Sequence, residues 1–252
     1  MALQVVTVPC LKDNFAFLAH DPDSGTTAVI DVPEAAPILA TLAEYGWQAS
    51  LVLLTHHHAD HIQGLDDLQA GLPTPARVLG AAADAHRLPP LDTALTPGDA
   101  VTIGSVPGHV IDVSGHTVGH VAYAFPGVAF TGDSLMALGC GRLFEGDAPM
   151  MWASLSRLMA LPGDTRICSG HDYLDGNLAF ARSVEPDNDA ATARLAHTRA
   201  AGPEAVHVTL DQERATNPFL RAGLPALKAA CGMPQNTDAE VFAELRRRKD
   251  SF

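Results

Sequence analysis

The stretch Thr55-His56-His57-His58-Ala59-Asp60-His61 decides the fold, because it places four imidazoles and a carboxylate within seven residues. It follows the apolar run 51–54, which is typical of a buried strand, and it precedes the run 62–68, which indicates the start of a helix. The stretch is therefore predicted to lie at the carboxyl end of a strand, where open α/β sheets place their ligands.

The spacing within this stretch predicts two metal ions side by side. In extended backbone His56 and His58 leave the same face of the chain, and His57 leaves the opposite face. Asp60 and His61 come where the chain turns into the helix, so they project past the first pair. Imidazole and carboxylate are ligands for zinc, iron or manganese. No cysteine lies within this stretch, which argues against a closed structural zinc site. The alternative is a histidine-rich surface loop that binds metal only opportunistically.

Three later segments repeat the pattern of an apolar strand that ends in a metal-ligand residue type. His116, in a glycine-rich loop, is the candidate third histidine for the first metal. Asp133 is the candidate bridge between the metals, and His171 completes the second site. His120 is expected at most to support a ligand, or simply to begin the next strand. Asp31 is either a hydrogen-bond partner for a ligating histidine or an ordinary turn residue.

Length and composition limit the class of protein. The chain has 252 residues, of which 47% are hydrophobic, enough for one large or two smaller domains. It shows neither a bilayer-spanning apolar segment nor a signal peptide, which predicts a soluble cytoplasmic protein with reduced thiols at its four scattered cysteines. The net charge of -13 argues against a nucleic-acid partner, and an anionic substrate would need a local basic cluster.

The composition changes near residue 170, where strand signals give way to helical spacing of alanine, leucine, arginine and glutamate. We therefore predict an α/β metal-binding domain over residues 1–170 and a helical domain over residues 171–252, and the resemblance described next implies that the first is a hydrolase domain. The final helix ends in Arg246-Arg247-Arg248-Lys249. This run is either the expected basic cluster or a set of cations that favour a helix C-terminus.

The motifs Thr55-His56-x-His58-x-Asp60-His61, Gly115-His116-Thr117, Gly132-Asp133 and Gly170-His171 together resemble those of the metallo-β-lactamase superfamily. Further segments make the chain similar to one of its members, the glyoxalase II family of hydroxyacylglutathione hydrolases. These segments are Asp13-Asn14-Phe15, Gly139-Cys140-Gly141-Arg142, Val184-Glu185-Pro186 and Asn217-Pro218-Phe219-Leu220-Arg221. The resemblance covers nearly the whole chain.

The resemblance implies an αββα sandwich with a dinuclear site, followed by a C-terminal α-helical domain that helps to hold glutathione. It implies two divalent metal ions, expected to be zinc with iron or manganese as alternatives. The implied ligands are His56, His58 and His116 for the first ion and Asp60, His61 and His171 for the second, with Asp133 between them and with Asp60 and Asp133 as the catalytic carboxylates. The implied substrate-binding residues are Arg142, Tyr173, Arg246 and Lys249. One departure is Phe144, which stands where such enzymes commonly carry a tyrosine.

The implied reaction is hydrolysis of the thioester in S-(2-hydroxyacyl)glutathione by a hydroxide that bridges the metals. Its products would be glutathione and a 2-hydroxy acid, D-lactate in the second step of methylglyoxal detoxification. The expected partner is this small molecule, with no nucleic acid or membrane, and the chain is expected to be a monomer. The alternatives are another thioesterase, a lactonase or an iron-dependent persulfide dioxygenase. His57 has no role in the scheme and is predicted not to be a ligand.

Overall fold

The computed structural model describes residues 2–252, apart from the side chains of Leu195, Ala196, Arg199, Pro203 and Glu204. The strands are β1 Gln4–Cys10, β2 Asn14–Asp21, β3 Thr26–Ile30, β4 Ala49–Leu53, β5 Arg77–Ala81, β6 Thr93–Leu95, β7 Ala100–Ile103, β8 Val106–Asp112, β9 Val121–Phe125, β10 Val128–Gly132, β11 Leu135–Met136, β12 Gly139–Cys140 and β13 Arg166–Ser169. The α-helices are α1 Ala35–Tyr45, α2 Ala59–Ile62, α3 Leu65–Gly71, α4 Ala148–Met159, α5 Leu174–Val184, α6 Asp189–Ala201, α7 Leu210–Thr216, α8 Pro225–Ala230 and α9 Asp238–Asp250.

Strands β1 to β6 form one mixed sheet in chain order. The pairs β1–β2 and β2–β3 are antiparallel, and β3 to β6 run parallel. Parallel neighbours need a crossover connection, which α1 supplies between β3 and β4, and α2 with α3 between β4 and β5. The carboxyl ends of β3 and β4 therefore lie side by side, so Asp31 comes next to the histidine stretch.

The second sheet has the order β13-β10-β9-β8-β7, and only its β10–β13 pair is parallel. Asp133 directly follows β10, and His171 comes two residues after β13. Because these two strands are adjacent and parallel, their carboxyl ends bring both residues to one edge of the sheet. The same edge faces the end of β4 in the first sheet.

Apolar side chains form three cores separated by the two sheets. Phe17, Ile30 and Phe130 belong to the central core between the sheets. A second core holds α1 and α3 against the outer face of the first sheet. A third includes Leu155 of α4 and Phe242 of α9, against the outer face of the second sheet. Removing these large side chains from water is the main favourable contribution to the fold. The predicted αββα sandwich is confirmed.

The predicted C-terminal helical segment is also confirmed, and it packs into the same cores as the sandwich. Helix α5 contributes Leu178 to the central core and Phe180 to the third core, where Phe180 stacks on Phe219 with ring centroids 5.7 Å apart. No helix among residues 2–252 is both long and apolar enough to cross a bilayer. The four cysteines are buried, and none forms a disulfide.

Some elements differ from those predicted. The helix expected over 62–68 is two short helices, α2 and α3, and the first begins inside the histidine stretch at Ala59. They are separated at Gly64, where a Cβ would lie 2.9 Å from the backbone nitrogen of Ala35, so only glycine allows this close approach to α1. Helices α4 and α7 lie outside the predicted elements, although the Asp147 side chain caps α4 by accepting the N–H of Met150.

Helix α7 supports the β11–β12 hairpin, which leads into the pocket described below. Glu213, which is 1% exposed, accepts a hydrogen bond from Arg194 on α6 and another, at 3.1 Å, from the backbone N–H of Leu138. Asn217 donates to the carbonyl of Gly139 at 2.9 Å. Leu138 has a φ of 56°, an uncommon conformation for a residue with a side chain. The hairpin therefore depends on groups from the C-terminal helices.

We predict that Arg194→Met lowers the free energy of unfolding by about 3–5 kcal/mol, because it leaves the buried Glu213 carboxylate without its ion-pair partner. Chemical denaturation would measure the loss. The control is Arg247→Met, which removes an exposed pair with Glu244 and should leave the stability unchanged. Equal effects of the two substitutions would contradict the role assigned to the buried pair.

Candidate functional site

Three histidines form one group of donor atoms at the edge where the strand ends meet. The Nδ1 atom of His58 lies 3.1 Å from Nε2 of His56 and 3.0 Å from Nε2 of His116. All three ligand atoms lie within 4.8 Å of one another, which is close enough for a single ion. The structure thus brings together the three residues that the sequence analysis assigned to the first metal.

Asp60, His61 and His171 form a second group within the same 4.8 Å limit. Nε2 of His171 lies 3.3 Å from Nε2 of His61 and 3.4 Å from Oδ2 of Asp60. The Asp133 carboxylate lies between the groups. Its Oδ1 is 3.4 Å from His61, and its Oδ2 is 3.5 Å from His116 and 3.3 Å from His171. One carboxylate therefore faces both groups, as its predicted bridging position requires.

The chemistry of these donors fits divalent cations. Imidazole nitrogens converge at 3.0 to 3.3 Å, and Oδ1 of Asp133 is buried without making a hydrogen bond. A buried carboxylate oxygen without a partner is costly unless a cation compensates it. Imidazole with carboxylate is a usual ligand set for zinc, iron and manganese. The fold and these clusters together indicate divalent-metal binding.

Residues outside the two ligand groups orient the candidate ligands through hydrogen bonds. Asp31 accepts a hydrogen bond from Nδ1 of His61 at 2.8 Å, and this leaves Nε2 of His61 directed toward the cluster. Thr55 holds Asp31 in place through its backbone N–H and its hydroxyl, both at 2.8 Å. Of the two interpretations of Asp31, the structure supports the partner of a histidine. His116 is oriented similarly, by donating from Nδ1 to the carbonyl of Arg142 at 2.7 Å.

Two further supporting residues, Asp13 and Asn14, were not singled out by reasoning from residue types. Asp13 accepts from Nδ1 of His171 at 3.1 Å, and the Asn14 amide donates to Oδ2 of Asp60 at 3.1 Å. They lie more than 40 residues before the histidine stretch, so reasoning from residue types did not connect them with it. Only the motif Asp13-Asn14-Phe15, which is part of the family resemblance, indicated them. His120 is fully buried, and its Nε2 accepts the backbone N–H of Asp133 at 3.1 Å. It therefore supports the bridging candidate.

Electrostatics in the cluster follow from burial and from close opposite charges. Burial lowers the pKa of His56 well below its ordinary value, and the neighbouring His61 lowers it further, so His56 is neutral. Burial opposes ionisation of Asp133, but the charges of His61 and His171, which lie 3.4 and 3.3 Å from its oxygens, outweigh it and hold the pKa of Asp133 well below its usual range. Burial likewise opposes a charge on His61, yet Asp133 and Asp31 raise its pKa well above its ordinary value. A bound cation would replace that proton.

A cavity of about 670 Å³ opens beside the cluster. Its inner end is lined by the cluster residues His58, Asp60, His116, Asp133 and His171. Its outer end is lined by the hairpin and by helices α5 and α9, and it includes all four substrate-binding candidates, Arg142, Tyr173, Arg246 and Lys249. The C-terminal helices thus form part of the same pocket as the candidate metal ligands.

Two family models match consecutive parts of the chain. The metallo-beta-lactamase superfamily model matches residues 23–171, and the model of the hydroxyacylglutathione hydrolase C-terminus matches residues 172–252. A hydroxyacylglutathione hydrolase from Fuscovulum blasticum is 62% identical over the full length of both chains, and one from Cereibacter sphaeroides is 60% identical over the same extent. This chain belongs to the hydroxyacylglutathione hydrolase family.

Solved structures agree on the fold of this family member. ETHE1 from Myxococcus xanthus is 23% identical and matches with a TM-score of 0.67, covering 98% of this chain and 90% of that one. At this identity the likeness shows the fold alone. The metal-ligand and substrate assignments therefore rest on the local geometry and on the family.

The four substrate-binding candidates differ in how freely they can reach a ligand. Arg246 is 6% exposed, and it donates to the carbonyl of Cys140 at 3.0 Å and to Asp250 at 2.7 Å. Lys249 donates to the carbonyl of Gly176 at 2.8 Å, which leaves two of its three N–H donors. Arg142 has a side chain that is 58% exposed, and its Nε lies 3.4 Å from Asp250. Arg142 and Lys249 are thus more accessible to a ligand than the buried Arg246.

The aromatic residues of the pocket lie against the two ligand groups. Tyr173 stacks on His171, with centroids 4.7 Å apart and an interplanar angle of 9°. Phe144 is 61% exposed, and its ring lies edge-on at 5.2 Å from that of His116 and 5.7 Å from that of His58. The residue that departs from the usual tyrosine therefore stands directly beside the first ligand group.

His57 provides a matched control for the ligand assignment, since its Nδ1 makes a 2.9 Å hydrogen bond to the buried Asp84 outside both ligand groups. We predict that His58→Gln weakens divalent-metal affinity by more than about tenfold, because changes even to supporting groups cost about 10–100-fold. His57→Gln should leave metal content unchanged. Elemental analysis after dialysis against a graded chelator would measure both. Equal metal loss in the two variants would contradict the assignment.

Proposed function

We propose that this chain hydrolyses the thioester bond of S-(2-hydroxyacyl)glutathione, releasing glutathione and a 2-hydroxy acid. The observation that carries the proposal is the shared pocket, in which candidate metal ligands meet cations from the segment that matches the hydroxyacylglutathione hydrolase C-terminus. The proposed substrate is S-D-lactoylglutathione, whose hydrolysis to D-lactate is the second step of methylglyoxal detoxification. We further propose that the chain acts as a cytoplasmic monomer.

The proposed metal centre holds two divalent ions, with zinc as the first expectation. His56, His58 and His116 would hold one ion, Asp60, His61 and His171 the other, and Asp133 would contact both. When bound, such ions make water acidic enough to supply hydroxide near neutral pH, and they stabilise negative charge on a carbonyl oxygen. Asp60 and Asp133 are the carboxylates proposed to be catalytic, and both line the pocket.

The protein's own residues orient the reacting groups. Asn14 fixes the Asp60 carboxylate through its side-chain amide, and His120 fixes the backbone of Asp133. Holding the donors rigidly limits the reorganisation that would otherwise accompany reaction. The leaving thiolate, with a free pKa of about 8.5, needs little protonation. No separate general base is required among the described residues of the pocket.

We propose that residues 1–170 supply most of the metal ligands and residues 171–252 most of the glutathione contacts, with His171 as a metal ligand and Arg142 as a glutathione contact from the other segment in each case. Glutathione carries two carboxylates, whereas the chain has a net charge of -13, so local cations must offset the general repulsion. Arg142 and Lys249 are proposed to contact those carboxylates directly. Arg246, whose hydrogen bonds go to Cys140 and Asp250, is proposed to act through its charge. Tyr173 is proposed to contact the ligand beside His171.

The test of the function compares two substrates with purified, metal-analysed protein. We predict hydrolysis of S-D-lactoylglutathione and much slower hydrolysis of an analogous thioester that lacks the γ-glutamyl and glycyl carboxylates. Asp133→Asn should abolish activity and reduce metal content together, because it removes one negative charge from between the ligand groups. Equal rates on both thioesters would contradict glutathione recognition. Oxygen consumption with glutathione persulfide, in place of thioester hydrolysis, would favour the dioxygenase alternative.

Phe144 generates a second prediction. Phe144→Tyr should lower KM for S-D-lactoylglutathione by about two- to tenfold with kcat unchanged, since one added hydrogen bond contributes about 0.5–1.5 kcal/mol. Steady-state kinetics would measure it. Tyr45→Phe, at an exposed position outside the pocket, is the control and should change neither constant. An unchanged KM in Phe144→Tyr would show that substrate does not reach the new hydroxyl.

A further inference from the structure

A polar cluster outside the ligand groups ties the rim of the pocket to the loop that carries His116. Glu145 accepts the backbone N–H of Val118 through Oε2 at 2.8 Å, and it accepts the guanidinium of Arg87 through Oε1 at 2.5 Å. The backbone N–H groups of Phe144 and Glu145 both donate to the carbonyl of His116, at 3.1 and 3.3 Å. The Phe144 segment is therefore held by its backbone and by the neighbouring glutamate.

Arg87 connects this segment to the first sheet. Its Nε donates at 2.5 Å to Asp84, which is fully buried in the turn after β5, and its Nη2 donates to the carbonyl of Val118 at 2.7 Å. Asp84 also pairs with Nδ1 of His57 at 2.9 Å through its second oxygen. Burial opposes the charge on Arg87, but the hydrogen bonds that it donates to Glu145 and Asp84 raise its pKa, so it stays a cation. Arg87 thus joins two carboxylates that would otherwise repel each other.

The hydrogen bonds of Asp84, Arg87 and Glu145 restrict the position of the segment that carries Phe144. This side chain is 61% exposed, and among the described residues its only ring contacts at the pocket are with His58 and His116. An exposed aromatic side chain has little packing to hold it in one position, so the position of its backbone decides where the ring lies. Arg87, Asp84 and Glu145 are not among the residues that line the pocket. They can therefore influence a ligand only indirectly, through the Phe144 segment or through the loop that carries His116.

We propose that Asp84, Arg87 and Glu145 are positioning residues that preorganise Phe144 as a wall of the pocket for the glutathione thioester. The inference rests on the proposed function, because it assigns these residues to recognition in that same pocket. If the cluster only supported the loop that carries His116, breaking it would lower the metal content. Preorganisation instead predicts a loss of ligand affinity that depends on the presence of Phe144.

The test is a double-mutant cycle of Arg87→Met and Phe144→Ala in metal-loaded protein. The probe is S-methylglutathione, a thioether that cannot be hydrolysed, and calorimetry measures its Kd. Arg87→Met should weaken binding by about two- to tenfold, the cost of ordering one side chain on binding. It should raise KM for S-D-lactoylglutathione by a similar factor with kcat and metal content unchanged. In the Phe144→Ala background, Arg87→Met should have no further effect on Kd.

Glu145→Ala breaks the other end of the same connection and should reproduce the result if Arg87→Met folds poorly. Arg77→Met is the matched control, because Arg77 is an exposed arginine at the opposite end of β5 with one hydrogen bond to Thr93. An equal loss of affinity in both Phe144 backgrounds, or a loss of bound metal, would overturn the inference. If the unmodified chain binds the thioether but does not hydrolyse the thioester, the proposed function fails, and the affinity cycle still decides this inference.

Discussion

The buried carboxylate of Asp133 is the constraint on which the rest of the site depends. It lies between two groups of histidines, and its Oδ1 makes no hydrogen bond within the protein. Such a group is stable in the interior only if positive charge surrounds it. The parallel pairing of β10 with β13 and the parallel pairing of β3 with β4 bring that charge to one edge. The sandwich architecture is thus what makes the cluster possible.

The C-terminal helices complete the pocket in addition to covering the second sheet. Glu213 and Asn217 hold the β11–β12 hairpin, and the carbonyl of Cys140 at its end accepts from Arg246. The segment that matches the hydroxyacylglutathione hydrolase C-terminus therefore lines the same pocket as the candidate metal ligands. This connection explains why a helical tail with strong local periodicity shares hydrophobic cores with the sandwich.

The candidate ligands could be predicted because each follows an apolar strand, and a strand's carboxyl end is a local feature of the sequence. The helical character of the tail was predicted for the same reason, since helical periodicity is local, although α7 was not among the predicted helices. Helix α2 was misplaced because Ala59–Ile62 is a single turn whose ends are set by contacts such as that of Gly64 with α1. Helix α4 lay outside the prediction although its cap is a local signal.

The sequence by itself determined the donor types, their order along the chain and the family to which the chain belongs. These properties are carried by short motifs whose chemistry does not depend on distant residues. Only the tertiary structure decided that Asp31, Asp13 and Asn14 orient the ligands, and that Arg87 reaches Glu145 across 58 residues of chain. Hydrogen bonds between distant segments produce no periodic pattern in the sequence of either segment, because the packing of the two sheets determines which groups meet.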